Sequence, residues 1–279
     1  MIKIIFLTAF ALAAFAFNSI LCRMALRGGE ADAVGFTLVR LVAGAVTLIT
    51  ISYFFGKGTK TVGRGNWISA FFLFAYAICF SLAYLALNAG TGALILFGSV
   101  QLTMIAFALS RGERPGVLEW LGLAAAVGGL VYLVFPGLTS PPLYSSLLMA
   151  AAGVAWGVYT LRGKGSDPLA TTTGNFIWSV PLIIIASIPF FSQIHLSNRG
   201  LILATLSGAV ASGIGYTVWY AALKHHTSTR AAVLQLSVPV IAAAGGILFL
   251  SEVATTRLWI AGATILGGIG SVIFSKGKG

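Results

Sequence analysis

Ten apolar stretches of about twenty residues follow one another along almost the whole chain of 279 residues. A helix of ~20 residues crosses the hydrocarbon core of a bilayer, and a helix satisfies its own backbone hydrogen bonds there. Composition agrees, because 58% of the residues are apolar and only 8% are charged, against about a quarter in soluble domains. We therefore expect an all-α polytopic membrane protein with no separate soluble domain. The predicted transmembrane helices are residues 3–22, 33–55, 66–87, 91–109, 116–135, 144–161, 169–191, 200–222, 229–250 and 256–275.

The chain repeats itself at half its length. ERPGVLEWLGLAAAVGGLVYLVF at 113–135 is similar to EVATTRLWIAGATILGGIGSVIF at 252–274, with Glu, Trp, Gly-Gly and Phe each matched 139 positions apart. At the same interval, AFAFNSILCR starting at residue 14 matches GVAWGVYTLR starting at residue 153. We therefore predict two five-helix repeats within one membrane domain, residues 1–137 and residues 138–279.

An odd number of spans in each repeat makes the second repeat enter the membrane from the opposite side. Inverted repeats of this kind are typical of transporters, whose substrate site lies near the midplane between the two halves. Of the seventeen Lys and Arg residues, twelve fall at the two termini and in the even-numbered loops, and four on the other side. The positive-inside rule then predicts that both termini are cytoplasmic. Contact with anionic lipid explains the net charge of +11 without nucleic acid.

Several features together resemble the EamA family of the drug/metabolite transporter superfamily. They are the five-plus-five arrangement, a glutamate near the end of the fourth helix of each half (Glu113 and Glu252), and Gly-rich fifth helices. The resemblance covers the whole chain and implies a secondary transporter, commonly an exporter of amino acids or related metabolites. The fourth helices of that family tend to carry a proline, whereas here Pro239 has Gln101 as its counterpart. Pro239 is the predicted hinge, since proline interrupts backbone hydrogen bonding.

Arg40 is the one charged residue deep inside a predicted span, about seven residues or ~10 Å from the outer end. Its guanidinium could bind a carboxylate or phosphate of the substrate. Alternatively, it could reach toward the interface or donate to carbonyls of a neighbouring helix. No Asp, Glu or His lies in the middle of a span, and proton-coupled carriers normally use such a group as their relay. The sequence therefore predicts facilitated diffusion or exchange.

The other candidates for substrate binding are neutral side chains deep in the spans, which are predicted to line a hydrated cavity with aromatic walls. The alternative for each is helix packing or hydrogen bonding between helices. These candidates are Asn18, Phe80, Gln101, Trp156, Asn175, Trp178, Tyr216 and Gln235. Residues spaced four apart also form one stripe on each of two helices. The stripes are Tyr76, Phe80, Tyr84 and Ser212, Tyr216, Tyr220. Tyr84 and Tyr220 lie near helix ends, which is typical of residues in the interfacial aromatic belt.

The remaining features exclude several functions. Paired aspartates, an HExxH helix and a Ser/His arrangement at membrane depth are all missing from the sequence, so we expect no enzyme, cofactor or metal. Small residues four apart in the fifth helices, Ala124 with Gly128 and Ala263 with Gly267, predict scaffold contacts or a homodimer. Short loops favour the inner membrane of a bacterium. The predicted function is export of small amphipathic metabolites, with a flippase for a lipid-linked phosphate as the alternative.

Overall fold

The computed structural model describes residues 2–55, 65–110, 112, 116–135, 137, 140–163, 166–226 and 234–276, and nearly all of them are helical. Seven of the described helices are long and apolar enough to cross a membrane, and two more are apolar but shorter. The prediction of an all-helical polytopic membrane protein is confirmed. The helices are α1 (Ile2–Arg27), α2 (Ala33–Phe55), α3 (Trp67–Tyr84), α4 (Ala89–Ser110), α5 (Val117–Val134), α6 (Leu143–Gly163), α7 (Pro168–Ser187), α8 (Asn198–Leu223), α9 (Ser237–Leu250) and α10 (Thr256–Lys276).

Polar side chains begin three of these helices. The carboxylate of Asp32 accepts two backbone N–H groups in the first turn of α2, and the amide oxygen of Asn66 does the same for α3. Asp167 accepts one backbone N–H at the start of α7, directly before a proline. These caps satisfy donors that a helix leaves free in its first turn. They explain why helices so uniformly apolar begin where they do.

Glycine allows α5 and α10 to pack closely. A Cβ on Gly268 would lie 2.5 Å from the carbonyl oxygen of Gly122, and one on Gly129 would lie 2.8 Å from a side-chain carbon of α10. The same construction on Gly128 and Gly267 meets no atom within 4 Å. The glycines at the contact, Gly129 and Gly268, therefore each follow by one residue the predicted Gly128 and Gly267. This contact lies within one chain, and a homodimer stays a prediction.

The other long helix contacts surround the middle of the bundle. Helix α1 packs against α8 and α9, α4 packs against α6 and α9, and α3 packs against α6. Helix α2 packs against both α7 and α8. The centre of the bundle is therefore bordered by helices from both predicted repeats.

One end of the bundle, the Arg23 end, holds the loops after α1, α3, α7 and α9. There the carboxylate of Glu252 accepts a hydrogen bond from Arg23 Nε at 3.2 Å and from the backbone N–H of Ala89 at 2.8 Å. Arg23 Nη1 donates to the carbonyls of Tyr84 at 2.9 Å and Leu85 at 3.0 Å. This set of contacts joins α1, the end of α3, the start of α4 and the end of α9.

A second contact at the Arg23 end joins the loop after α1 to the loop before α8. Ala31 and Leu196 form a short antiparallel bridge. Beside it, the backbone N–H of His195 donates to the Asp32 carboxylate at 2.7 Å, and the Asp32 N–H donates back to the His195 carbonyl at 3.0 Å. The loops that start α2 and α8 are therefore held together.

The opposite end, the Arg162 end, brings together the start of α3, the end of α6, the start of α7 and the end of α8. Arg162 Nε donates to the Ser69 hydroxyl at 3.0 Å, and Nη2 donates to the side-chain oxygen of Asn66 at 3.1 Å. The backbone N–H of Asn66 donates to the side-chain oxygen of Asn175 at 3.0 Å. The first turn of α3 is thus held by α6 and α7. Its last turn is held at the Arg23 end.

Loss of the Arg23 charge should destabilise the fold more than loss of the Arg199 charge. Side chains of the Arg23–Glu252 pair are 9% and 6% exposed, whereas those of the Arg199–Glu30 pair are 65% and 26% exposed. Removing one partner of a buried pair leaves the other uncompensated and costs about 3–5 kcal/mol, but an exposed pair contributes about 1 kcal/mol at most. Thermal unfolding in detergent should therefore show a much larger drop for Arg23→Gln than for Arg199→Gln. Equal drops would contradict a structural role for the buried pair.

Candidate functional site

The buried guanidinium of Arg40 lies at the centre of the bundle, where the side chain is 1% exposed. Its Nε donates to the Ser212 hydroxyl at 3.1 Å, and its Nη2 donates to the hydroxyls of Tyr76 at 3.1 Å and Tyr216 at 2.9 Å. The two tyrosine hydroxyls are themselves 3.2 Å apart. Arg40 Nη1 is buried and has no hydrogen-bond partner among the described residues. We call Arg40, Tyr76, Ser212 and Tyr216 the Arg40 cluster.

The Arg40 charge is held by neutral groups. Both ion pairs of the described residues, Arg23–Glu252 and Arg199–Glu30, lie at the Arg23 end. The guanidinium carbon also lies 5.1 Å from the ring centre of Tyr76 and 5.0 Å from that of Phe80, within reach of cation–π attraction. The alternative to substrate binding is that Arg40 reaches the interface or bonds to neighbouring carbonyls, but the side chain is 1% exposed and its hydrogen-bond partners among the described residues are hydroxyls. The side chain points into a set of hydroxyls and rings.

A short π-helical segment of α8, Ser207–Ile214, brings two serines to this region. In a π-helix the backbone bonds connect residues five apart, and such segments frequently occur at functional sites. Ser207 and Ser212, separated by one π-helical turn, therefore lie on one face of α8. Between them, Gly208 lies so close to α2 that a Cβ there would be 2.1 Å from the carbonyl oxygen of Arg40. Glycine is thus required where α8 meets the backbone of Arg40.

Asn18 of α1 extends the polar network. Its side-chain nitrogen donates to the Tyr76 hydroxyl at 3.2 Å, and its side-chain oxygen accepts from the Ser207 hydroxyl at 2.6 Å. Asn18 is 1% exposed, so these bonds satisfy an amide that could not otherwise be buried. The network consequently connects α1, α2, α3 and α8.

Aromatic rings cover the polar network on the side of α6. The ring of Trp156 lies 4.5 Å from that of Tyr216 and 5.0 Å from that of Tyr76, between ring centres. Phe15 packs edge-on against Trp156 and Tyr216, both at 5.8 Å. The cavity enclosed by these rings and Asn18 has a volume of about 10 Å³, which is roughly what one water molecule needs. A larger molecule therefore enters only when helices move apart.

Five of the residues predicted from the sequence meet here, and two others lie apart. Asn18, Arg40, Phe80, Trp156 and Tyr216 all belong to the network or its aromatic cover. The other two are both on α7. Asn175 is buried but accepts from the backbone at the Arg162 end. Trp178 is 36% exposed and packs against Trp67, with ring centres 4.5 Å apart.

Three further predicted residues lie on α4, in α9 or just before α9. Gln101 of α4 is 2% exposed. Gln235 precedes α9 and is 1% exposed, and its side-chain oxygen has no hydrogen-bond partner among the described residues. Pro239 stands in the first turn of α9, where its missing N–H removes no helical bond. The chain turns at Leu236, just before this helix. Glu113, the counterpart of Glu252, lies outside the described residues.

The expectation of interfacial belt positions for Tyr84 and Tyr220 is wrong. Tyr84 is 0% exposed and Tyr220 is 7% exposed, whereas a belt residue faces the lipid headgroups. The Tyr84 ring is packed so closely on α4 that a Cβ at Gly92 would lie 2.4 Å from it. Both tyrosines continue the buried stripes that run from the Arg40 cluster toward the two ends.

Sequence reasoning missed four contributors to the site. Tyr76 and Ser212 lie on the predicted stripes but are not among the predicted binding residues, although the hydroxyls of both contact Arg40. The four-residue spacing was the signal that could have identified them. Ser207 and Phe15 carried no such signal, because small hydroxyls and phenylalanines are common throughout these spans.

A helical membrane bundle with a buried charge and a polar network at its centre has the architecture of a membrane transporter. Residues 143–274 match the EamA-like transporter family. An uncharacterised protein of Pseudomonas aeruginosa is 47% identical to this chain, covering 97% of it and 94% of the relative. The chain belongs to the EamA family, of the drug/metabolite transporter type, and is a transporter rather than an enzyme.

Two more distant comparisons agree with this assignment. A protein of Salmonella typhimurium named "probable amino-acid metabolite efflux pump" is 27% identical over 75% of this chain and 74% of its own length. One solved crystal structure has a TM-score of 0.69 at 19% identity and covers 95% of this chain and 96% of its own. That structure shows that the fold itself is shared.

No group of three or more His, Cys, Asp or Glu side chains in the described ranges could hold a metal ion.

Replacing Arg40 by methionine should leave the fold intact. A buried charge without a carboxylate partner is costly to the folded state, and apolar replacements of buried charges are often neutral or stabilising by about 1–4 kcal/mol. The tyrosine hydroxyls would still bond to each other at 3.2 Å. We expect the unfolding temperature of purified Arg40→Met to equal or exceed that of the parent protein. A drop as large as that of Arg23→Gln would instead make Arg40 part of the scaffold.

Proposed function

We propose that this protein is a secondary transporter that exports small amphipathic metabolites, chiefly amino acids, across the inner membrane of a bacterium. The observation that carries the proposal is the Arg40 cluster, a buried charge whose hydrogen-bond partners are all neutral. Such a charge is available to an anionic group of a substrate, because no permanent ion pair has to be broken first. The name of the Salmonella relative supports the same class of cargo.

The proposed architecture has ten crossings, two inverted five-helix repeats and cytoplasmic termini. If the repeats are 1–137 and 138–279, α1 corresponds to α6 and α4 corresponds to α9. The contact of α1 with α9 then has a counterpart in the contact of α6 with α4, and both contacts are present. The same exchange relates Arg23 to Arg162, which are 139 residues apart and lie at opposite ends of the bundle. These pairs support the inverted arrangement.

Alternating access would then proceed by opening one end at a time. The Arg23 end is held by Glu252 and by the loop pairing beside α8, and the Arg162 end by Asn66 and Ser69. Release of the first set would expose the Arg40 cluster to the outside, and release of the second to the cytoplasm. The turn before Pro239 is the proposed hinge. The substrate gradient, through facilitated diffusion or exchange, would drive the cycle.

A flippase for a lipid-linked phosphate has less support. A groove of about 400 Å³ runs along α9 between α1 and α8, and its side chains, such as Phe17, Ile20 and Leu248, are apolar. An acyl chain fits such a surface, but a phosphate would find no donor there. The Arg40 cluster, which could bind phosphate, is enclosed by aromatic rings. We therefore favour a small metabolite over a lipid.

The orientation can be tested with single cysteines. In a chain whose Cys22 and Cys79 are replaced by alanine, we introduce a cysteine at Lys3 or at Arg199, which are both exposed. Because the termini are proposed to be cytoplasmic and the loop before α8 external, a membrane-impermeant thiol reagent added to whole cells should label Arg199→Cys and not Lys3→Cys. Permeabilised cells, in which both should react, are the control. Labelling of both in intact cells, or of Lys3→Cys alone, would exclude the proposed topology.

Transport should depend on Arg40. In proteoliposomes loaded with radiolabelled amino acids or their N-acylated derivatives, the parent protein should accelerate efflux, and Arg40→Met should lower the rate about 100-fold, since a bond to a charged group contributes up to ~3 kcal/mol. Unchanged efflux by a folded Arg40→Met protein would remove Arg40 from the mechanism.

Trp156 and Trp178 provide a matched pair of controls in the same assay. Trp156 is 3% exposed beside the Arg40 cluster, and Trp178 is 36% exposed on the outer surface. Trp156→Phe should slow transport about tenfold, the size expected when a pocket wall loses shape, and Trp178→Phe should leave it unchanged. Equal losses for both would indicate a general packing effect.

A further inference from the structure

We propose that the substrate at the Arg40 cluster is a net organic anion, a carboxylate whose amine is absent or acylated, and that each export cycle moves one negative charge outward. The proposal rests on the transport function given above. Within the amphipathic metabolites proposed above, it assigns the site to deaminated and N-acylated amino acids in preference to the free zwitterions, and it names the force that drives their exit.

The site carries one uncompensated positive charge. Every hydrogen-bond partner of Arg40 is a serine or tyrosine hydroxyl, and its Nη1 is buried with no hydrogen-bond partner among the described residues. A carboxylate would both neutralise the guanidinium and accept from its free N–H groups, and guanidinium and carboxylate form the strong two-bond pairs. The cluster is thus complementary to one negative charge.

Among the side chains that the structure describes, a free ammonium group finds no carboxylate in this region. The described carboxylates of Glu30, Asp32 and Glu252 lie at the Arg23 end, and that of Asp167 caps α7 near the Arg162 end. Taking an ammonium out of water without a charged partner is expensive. Next to Arg40 it would also be repelled by a like charge. A zwitterion therefore gains at its carboxylate and loses at its amine.

Neutral groups compensate an ammonium only weakly here. The side-chain oxygen of Asn18 already accepts from Ser207 at 2.6 Å. The ring faces of Tyr76 and Phe80 could attract a cation, but Arg40 already occupies them. Its guanidinium carbon lies 5.1 Å from the Tyr76 ring centre and 5.0 Å from the Phe80 ring centre. Removing or acylating the amine avoids this penalty. The remaining surface, with Phe15, Trp156 and Tyr216, suits an aryl or alkyl body.

A net anion also has a driving force in the cell. An inside-negative potential of about 100 mV favours the exit of one negative charge about 50-fold at equilibrium. The charges of the protein itself return to their starting positions in a full cycle. The net charge moved across the membrane is therefore that of the substrate. This drives export without a carboxylate or histidine relay at membrane depth. The membrane potential thus supplies the driving force that a proton gradient supplies in a proton-coupled carrier.

Four ligands with the same phenyl body test the charge preference. They are 3-phenylpropionate (anion), N-acetylphenylalanine (anion), phenylalanine (zwitterion) and phenethylamine (cation). Ligands that bind the folded state raise the unfolding temperature. We expect both anions to stabilise the purified protein at concentrations at least tenfold below phenylalanine, phenethylamine to have no effect, and Arg40→Met to respond to none of them. Stabilisation by phenylalanine at equal or lower concentration, or by neither anion, would overturn the proposal.

Proteoliposomes with a potassium diffusion potential test the charge movement. With valinomycin, an inside-negative potential should accelerate efflux of N-acetylphenylalanine several-fold over zero potential, and an inside-positive potential should slow it. Two controls, protein-free liposomes and liposomes that contain the Arg40→Met protein, correct for passive leak. If phenylalanine leaves in an Arg40-dependent way while N-acetylphenylalanine does not, the anion proposal fails and the export function stands. If no compound of the panel is transported, both fail.

Discussion

A positive charge held inside an apolar bundle by neutral groups is the constraint around which the polar interior of this protein is arranged. No described carboxylate contacts Arg40, so α3 and α8 supply hydroxyls and ring faces around it, and the Asn18 amide of α1 bonds in turn to the Tyr76 hydroxyl. That requirement accounts for local features which hydropathy does not explain. The π-helical turn of α8 aligns Ser207 with Ser212, and Gly208 allows α8 to touch the backbone of Arg40. Irregular helix geometry appears where the charge has to be solvated by protein.

Helix α3 connects this centre to both ends of the bundle. Its last turn is held through the carbonyl of Tyr84 by Arg23, and its cap, Asn66, is held by Arg162. Between these ends, Tyr76 donates or accepts within the polar network. Release of either end therefore frees one half of a helix whose middle residue touches Arg40. Under the proposed alternating access, α3 would therefore be the element through which opening at one end alters the site, as a two-state coupling requires.

Hydropathy and helix signals predicted the all-helical membrane architecture, because the length of an apolar run and its polar or Gly/Pro borders are local properties. The predicted spans 33–55 and 116–135 agree with α2 and α5 within one residue at each end. The π-helical turn could not be predicted, since it arises from contact between α2 and α8. The site was recognisable in part, because burying Arg40 or Asn18 is costly enough to suggest a function. The sequence alone does not show which face of a uniformly apolar helix points inward. Trp156 and Trp178 occupy equally apolar surroundings in sequence, and only packing separates a cavity wall from a surface ring.

The neutral partners of Arg40 also suit a carrier that must return empty. Had a protein carboxylate been paired with this guanidinium, an incoming substrate would have to displace it, leaving a second buried charge unpaired at a cost of about 3–5 kcal/mol. A tyrosine or serine hydroxyl can rotate away and bond to its neighbour instead, as Tyr76 and Tyr216 already do at 3.2 Å. When the substrate leaves, the same hydroxyls can return to the guanidinium. In the proposed cycle, each hydrogen bond that holds Arg40 in the empty protein is therefore weak enough to be exchanged for a bond to a ligand.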